Sequence, residues 1–260
     1  MSPETAIRLG SFLGMLMIMG MAETVWPRRA PTAPKGKRWL SNLSVLALST
    51  LLIRLLVPFI PTGVALYAAE NGIGLLNAVA LPHWAAIVIS VLLLDMVIYW
   101  QHVAFHRIPV LWRIHRMHHA DTDIDASTGI RFHPIEFILS MGLKLSVILV
   151  LGPPVIGVIA FEVLLNGCAV FNHANVRLPI TLDKWLRLIV VTPDQHRVHH
   201  STSPKEFNMN YGFNLPWWDR LFHTYKPQPD LGHQGMKIGL NIFRDPVFLG
   251  LGRMLTIPFR

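Results

Sequence analysis

The sequence predicts an all-α fold: a multi-span membrane helical bundle of about four to five spans plus a re-entrant or interfacial segment, capped on its cytoplasmic side by a histidine-rich helical metal-binding region. Three observations predict it. Of 260 residues, 52% are hydrophobic and only 15% charged, a balance unsuited to a soluble domain. The apolar residues fall in runs close to the ~20 that cross a hydrocarbon core. Thirteen histidines are present, eight of them in three tight clusters near or beyond the ends of those runs. The one cysteine, Cys168, excludes an intramolecular disulfide and thiolate cluster sites, so any metal is held by nitrogen or oxygen. A formal charge of +8 suits an anionic leaflet, and the apolar content favours that partner over nucleic acid.

The first apolar run, residues 6–26, ends on Trp26-Pro27, an interfacial aromatic before a helix breaker. It reads as a span rather than a cleaved signal, because no clear basic region precedes it. Arg28, Arg29, Lys35, Lys37 and Arg38 then form a short basic loop of the kind that stays cytoplasmic, which leaves the amino terminus outside. Residues 39–61 make the second span, with Arg54 placed to snorkel near its outer end. Residues 62–82 hold three glycines and no basic residue; they fit an outside segment whose path the sequence does not give. The third span, residues 83–100, brings the chain back inside. Residues 135–151 and 155–171, around Gly152-Pro153-Pro154, read as a helical hairpin with a tight outer turn. Lys144 and Glu162 lie at similar depth on its two arms, which predicts an ion pair within the membrane. From Asn172 onward eleven Lys or Arg and many breakers leave no further span, only helices on the inner face.

The chemistry-bearing pattern is His102-x-x-x-His106, His115-x-x-His118-His119 and His196-x-x-His199-His200. Residues three and four apart share a helix face, so the pair and each triplet can converge on a point. At one histidine in twenty, roughly 0.03 copies of the triplet pattern are expected by chance in this length, and two are present. All three clusters fall at the inner ends of spans, whereas a metal transporter needs ligands at mid-membrane depth. Eight imidazoles exceed what one first-row ion accepts, which implies two ions, with the metal left open among iron, copper, nickel and zinc. Asp121, Asp123 and Asp125 follow the second cluster and read as a solvated acidic turn.

These histidine boxes, with residues 95–106, Arg131-Phe132-His133-Pro134, Asn172-His173-Ala174-Asn175, Asn210-Tyr211-Gly212 and Trp218-Asp219-Arg220-Leu221-Phe222, resemble the fatty acid hydroxylase and sterol desaturase superfamily of membrane di-iron oxygenases over about residues 85–226. The resemblance implies two non-haem iron ions, O2 as co-substrate, and oxygen insertion into a C–H bond of a lipid, with desaturation or ketolation as the alternative. The three-residue spacer in the first box is more similar to the hydroxylase branch than to acyl-CoA desaturases. His173 joins the ligand set by its place in a family-like stretch. Asp95, His133 and Asn172 are expected to support the ligands, Asp95 through a histidine of another segment, with helix capping as the other reading of His133. Tyr99, Asn175, Asn210 and Asp219 are further candidates. His223 stands where the family stretch often has glycine and is not expected to ligate, and His83 and His233 receive no role.

The implied organisation is an N-terminal membrane region (1–84), a hydroxylase-like catalytic domain (85–226) and a C-terminal tail on the cytoplasmic face (227–260). No haem segment, dinucleotide fingerprint or cysteine cluster is visible in the sequence, so electrons are expected from an external donor, a reductase or small carrier. The basic residues Arg107, Arg113, Arg116 and Arg197 suit the positive-inside bias first and the docking of an acidic carrier second.

Overall fold

Among residues 3–260, which the computed structural model describes, five helical runs are long and apolar enough to cross a membrane. They are α1 (Pro3–Val25), the run α2 (Lys35–Leu56) with α3 (Pro61–Glu70), α4 (His83–Arg107), α6 (Pro134–Leu151) and α7 (Val155–His173), with α5 (Pro109–His119) between α4 and α6. Short helices follow, among them α8 (Ile180–Leu186) and α9 (Pro193–His199). Only isolated β-bridges, Pro27 with Val176 and Ser201 with Ile238, interrupt the helical character. The protein is thus an all-α, multi-span membrane bundle.

Burial is inverted relative to a soluble protein. Leu51, Leu55, Leu66, Trp84, Leu139 and Leu164 stand exposed on the spans, as a lipid-facing surface requires. The apolar core of the bundle is Leu94 and Ile98 of α4 against Ile148 of α6, Val158 and Phe161 of α7 and Ala65 of α3. Polar side chains concentrate instead beyond the C-terminal ends of α4 and α7.

At the opposite end of the bundle residues 71–82 take a defined path. The chain leaves α3 and crosses the α6–α7 turn, where Leu75 and Leu76 amides donate to the Val150 and Leu151 carbonyls at 3.0 and 2.8 Å. Gly152 ends α6 at φ +61, in the left-handed region, and a Cβ on it would come within 2.5 Å of the Ile73 carbonyl; glycine is required on both counts. The predicted hairpin pair forms, with Lys144 Nζ 3.0 Å from Glu162 Oε1. Arg8 of α1 joins it at 2.9 Å from Glu162 Oε2, so three spans meet on one carboxylate.

Two expectations need correction. The third span does not end near Trp100: α4 continues to Arg107, because residues 100–107 contain no breaker and Pro109 sets the stop. His102 and His106 therefore ride on the last turns of a span. The basic loop is also less free than it reads, since Arg38 is 1% exposed and lies inside α2, bound to the acids after the second histidine box.

Candidate metal centre

Four helices deliver nine buried histidines to one place. α4 supplies His102 and His106; α5 supplies His115, His118 and His119; the last residue of α7 is His173; α9 and its C-cap supply His196, His199 and His200. They form two groups in each of which one nitrogen per ring lies within 4.8 Å of all the others: His102, His106, His115, His119 and His199, and beside them His118, His173, His196 and His200. The groups abut, with the rings of His119 and His200 stacked 4.6 Å apart. In the second group His173 Nε2 is 3.1 Å from both His118 Nε2 and His196 Nε2.

The triplets do not each converge on a point, as the spacing alone suggested. At about 100° per residue, positions four apart differ by about 40° and those three apart by about 60° in the opposite sense. His115 and His119 therefore serve one group while His118 turns to the other, and His196 and His200 serve the second while His199 turns to the first.

Four of the clustered rings are oriented from behind. Nδ1 of His102 donates to the Tyr211 carbonyl (2.8 Å), His115 to Glu136 Oε1 (2.7 Å), His173 to the Ala169 carbonyl (2.7 Å) and His199 to the Met209 carbonyl (2.8 Å). Such bonds fix the tautomer and leave Nε2 with its lone pair. Nε2 of His102, His115 and His199 has no partner, nor has either nitrogen of His106, His119 and His200. Each buried unsatisfied nitrogen costs about 1–3 kcal/mol, and so many in one cage fit a pair of cations. Burial, reinforced by the neighbouring imidazoles, holds His118, His119, His196 and His200 well below the ordinary imidazole range. Burial also pushes His199 down to about 3 although its Met209 bond opposes the shift. These rings are neutral at neutral pH, the form that ligates. Aromatic rings close the cage: Phe132 stacks on His118 at 4.4 Å, and Trp112 and Tyr211 lie 4.9 and 5.1 Å from His106.

Several supporting residues take places other than those expected. Asp95 reaches no histidine; it accepts from Trp218 Nε1 at 2.8 Å and from the Asn214 and Leu215 amides at 3.3 Å. Two helical turns above His102, it meets the returning loop 214–218 and anchors it. His133 lies outside both groups and caps α6, accepting from the Ile135 amide at 3.2 Å. The carboxylate on His115 is Glu136, the third residue of α6, which sequence reasoning passed over; an acid in the first turn of a span was the available signal. Asn172 donates to the Phe213 carbonyl at 2.9 Å.

Asn210, at φ +54, donates to the Gln195 and Lys226 carbonyls at 2.9 and 2.7 Å. Asp219 accepts from the Tyr211 and Gly212 amides and the Thr224 hydroxyl at 2.8–2.9 Å, and burial raises its carboxyl to about 7. Tyr99 joins that chain through Thr224 at 2.9 Å. Together these bonds aim the Met209 and Tyr211 carbonyls at His199 and His102. Asn175 bonds the backbone of Arg29 in both directions.

Two of the three acids after the second box are not solvated: Asp121 is 0% and Asp125 4% exposed, because Arg38 comes down on them, while Asp123 is half-buried and accepts from Thr32 at the surface. Arg197 is fully buried, paired with Asp194 and donating to the Ala174 carbonyl, so it presents no docking charge. Arg113 and Arg116 donate to carbonyls of the C-terminal residues 257–260. His83 and His223 join neither group, and His233 lies 3.5 Å from Asp194.

Comparison with known proteins agrees with this geometry. Alkylglycerol monooxygenase of Danio rerio is 34% identical over 136 residues, 52% of this chain and 29% of that protein. Ornithine lipid hydroxylase OlsE of Rhizobium tropici is 30% identical over 143 residues, 55% of this chain and 42% of that protein. Alkylglycerol monooxygenase of Xenopus tropicalis is 29% identical over 150 residues, 57% and 32% of the two chains. The chain thus spans between about three and four tenths of the length of these relatives. No solved structure matches. The fatty acid hydroxylase family model matches residues 87–224, more than half the chain and the stretch that carries all nine clustered histidines; the protein belongs to the fatty acid hydroxylase family of histidine-box membrane proteins.

Proposed function

We propose that the protein is a membrane lipid hydroxylase that holds two non-haem irons, one in each histidine group, and inserts one oxygen atom of O2 into a C–H bond of a lipid, the other atom leaving as water with two protons and two electrons from an external donor. The observation that carries this reading is the pair of adjacent all-imidazole cages, buried and with their lone pairs unspent. A two-zinc hydrolase normally adds carboxylates that bridge the ions and activate water; here the nearby carboxylates are committed elsewhere, Glu136 to His115 and Asp121 to Arg38. Two irons in these cages would supply the oxidising power that an unactivated C–H bond demands. His102, His106, His115, His119 and His199 would hold one, and His118, His173, His196 and His200 the other. Glu136 and the Met209, Tyr211 and Ala169 carbonyls keep the Nδ1 protons in place, while Phe132, Trp112 and Tyr211 exclude water from the reacting space.

The relatives support the choice of reaction. Those named above are a monooxygenase of alkylglycerols and a hydroxylase of ornithine lipid, which favours hydroxylation of a lipid over desaturation. The basic α1–α2 linker and the basic residues of 172–260 favour the cytoplasmic side for the histidine face, where an external electron donor can reach it. The test is lipid mass spectrometry of cells with and without the protein, grown under heavy-isotope dioxygen. A lipid gaining one labelled oxygen is expected. Loss of two hydrogens without oxygen would refute hydroxylation, and an unchanged lipidome with two irons bound would refute lipid as substrate.

A further inference from the structure

The α1–α2 linker and the first turns of α2 lie outside residues 87–224, yet their polar groups end on the segments that carry the histidines. Arg38 forms a two-point pair with Asp121, Nε to Oδ1 and Nη2 to Oδ2, both at 2.8 Å. Its Nη1 meets Asp125 at 2.5 Å and Nη2 also donates to the Asp123 carbonyl at 2.7 Å. Asp121 follows His119 by two residues, and Asp125 caps the turn Ala126–Ile130. That turn packs so tightly on α7 that a Cβ at Gly129 would lie 2.2 Å from the Ala169 carbonyl, the same oxygen that orients His173.

One turn along α2, Asn42 donates to Ser127 Oγ (2.9 Å) and accepts from Arg131 (3.2 Å), whose Nε donates to the Met117 carbonyl at 3.1 Å, between His115 and His118. The linker also grips the other side. Arg28 Nε is 3.0 Å from both oxygens of Asp194, two residues before His196. Arg29 donates to the Asn175 side chain and to the His233 and Met236 carbonyls.

A buried ion pair adds little net stability over an apolar filling of the same volume; its best-attested use is to fix geometry. We propose that Arg38 and Arg28 are positioning residues of the two-metal centre: Arg38 in the first turn of α2 braces the segment that follows α5, and Arg28 in the α1–α2 linker braces α9, so that the two histidine groups face each other at ligand distance. The proposal rests on the two-metal reading above.

The test uses the full chain in detergent, stripped of metal and titrated with Co2+, alongside amide hydrogen exchange of the metal-free protein. Arg38→Met should weaken cobalt binding ten- to hundredfold, the usual range for groups behind a ligand, and speed exchange over residues 115–121. Arg38→Lys should not restore it, since one ammonium cannot hold both carboxylates in the fork geometry. Arg28→Gln should weaken binding to a smaller degree. Lys144→Met is the control: it breaks an ion pair eleven residues up α7 from His173, about 16 Å by helical rise, and should lower the melting temperature without changing cobalt affinity. If Arg38→Met fails to fold, Arg28→Gln and Asn42→Ala carry the test. Unchanged cobalt affinity and exchange in a folded Arg38→Met or Arg28→Gln, or an equal cobalt loss in Lys144→Met, overturns the brace. Wild type binding fewer than two cobalt ions overturns the metal reading itself, and the exchange data still decide the brace.

Discussion

Replacing Glu136 isolates how much a ligand gains from the group behind it. Its Oε1 lies 2.7 Å from His115 Nδ1, Oε2 has no partner, and both side chains are buried. Glu136→Gln keeps an acceptor at the same place and removes the charge. Hydrogen bonds to charged groups are worth about 1.5–3 kcal/mol against about 1 for neutral ones, so the change should cost about 1–2 kcal/mol, near tenfold in affinity for one ion. Glu136→Ala strands the buried Nδ1 proton and should cost up to about a hundredfold. His115 belongs to the five-histidine group alone, so only one of two binding events should weaken. Zinc titration against a competing chelator, fitted to two sites, reads this directly. Equal weakening of both events would refute the assignment of His115 to one group. A rise in affinity would refute the reasoning more deeply, because it would mean that Nδ1, not Nε2, faces the ion.

Two further outcomes follow from the same cage. In the metal-free chain, His118, His119, His196, His199 and His200 have folded-state values below the ordinary 6.5. The unfolded chain therefore takes up more protons as pH falls below about 6.5, and stability declines by about 1.4 kcal/mol per pH unit per fully responding group. Asp219, raised to about 7, acts in the opposite sense, but as one group against five. The melting temperature of the stripped protein should drop steeply between about pH 6.5 and 5; a flat profile would show that the rings are not held neutral. His118→Ala and His119→Ala, adjacent in sequence, should damage different ions, each removing mainly one of two cobalt-binding events. Identical titrations for the two variants would refute the division of the triplets.

Much of this architecture was legible because the membrane imposes its requirement directly on the sequence. A hydrocarbon core demands long apolar runs, and the hairpin residues Gly152-Pro153-Pro154 set the depth of both arms, so Lys144 could be matched to Glu162 without coordinates. What stayed hidden depends on partners distant in the chain. Asp121 and Asp125 carry no local sign of burial; a polar loop of acids looks solvated until Arg38, more than eighty residues earlier, is brought onto it. Asp95 reads as a working acid within a span, but its partner is the indole of Trp218, more than a hundred residues later, and no spacing rule links them. The path of residues 71–82 is set by contact with Gly152 rather than by any periodicity of its own.

The histidine boxes carry a further consequence of helical geometry. A triplet with members three and four apart cannot direct all its rings at one ion, because the four-apart pair and the odd member diverge to opposite sides of the helix line. One such helix therefore touches two sites. In α5 the pair serves the first group and the odd member the second; in α9 the assignment is reversed. The two helices thus interlock across both groups, and neither cage can be completed unless the other helix is in place. His102 and His106 add a pair to the first group and His173 a single ring to the second, which yields five and four. Two adjacent groups of ring nitrogens are therefore a property of the triplet spacing itself.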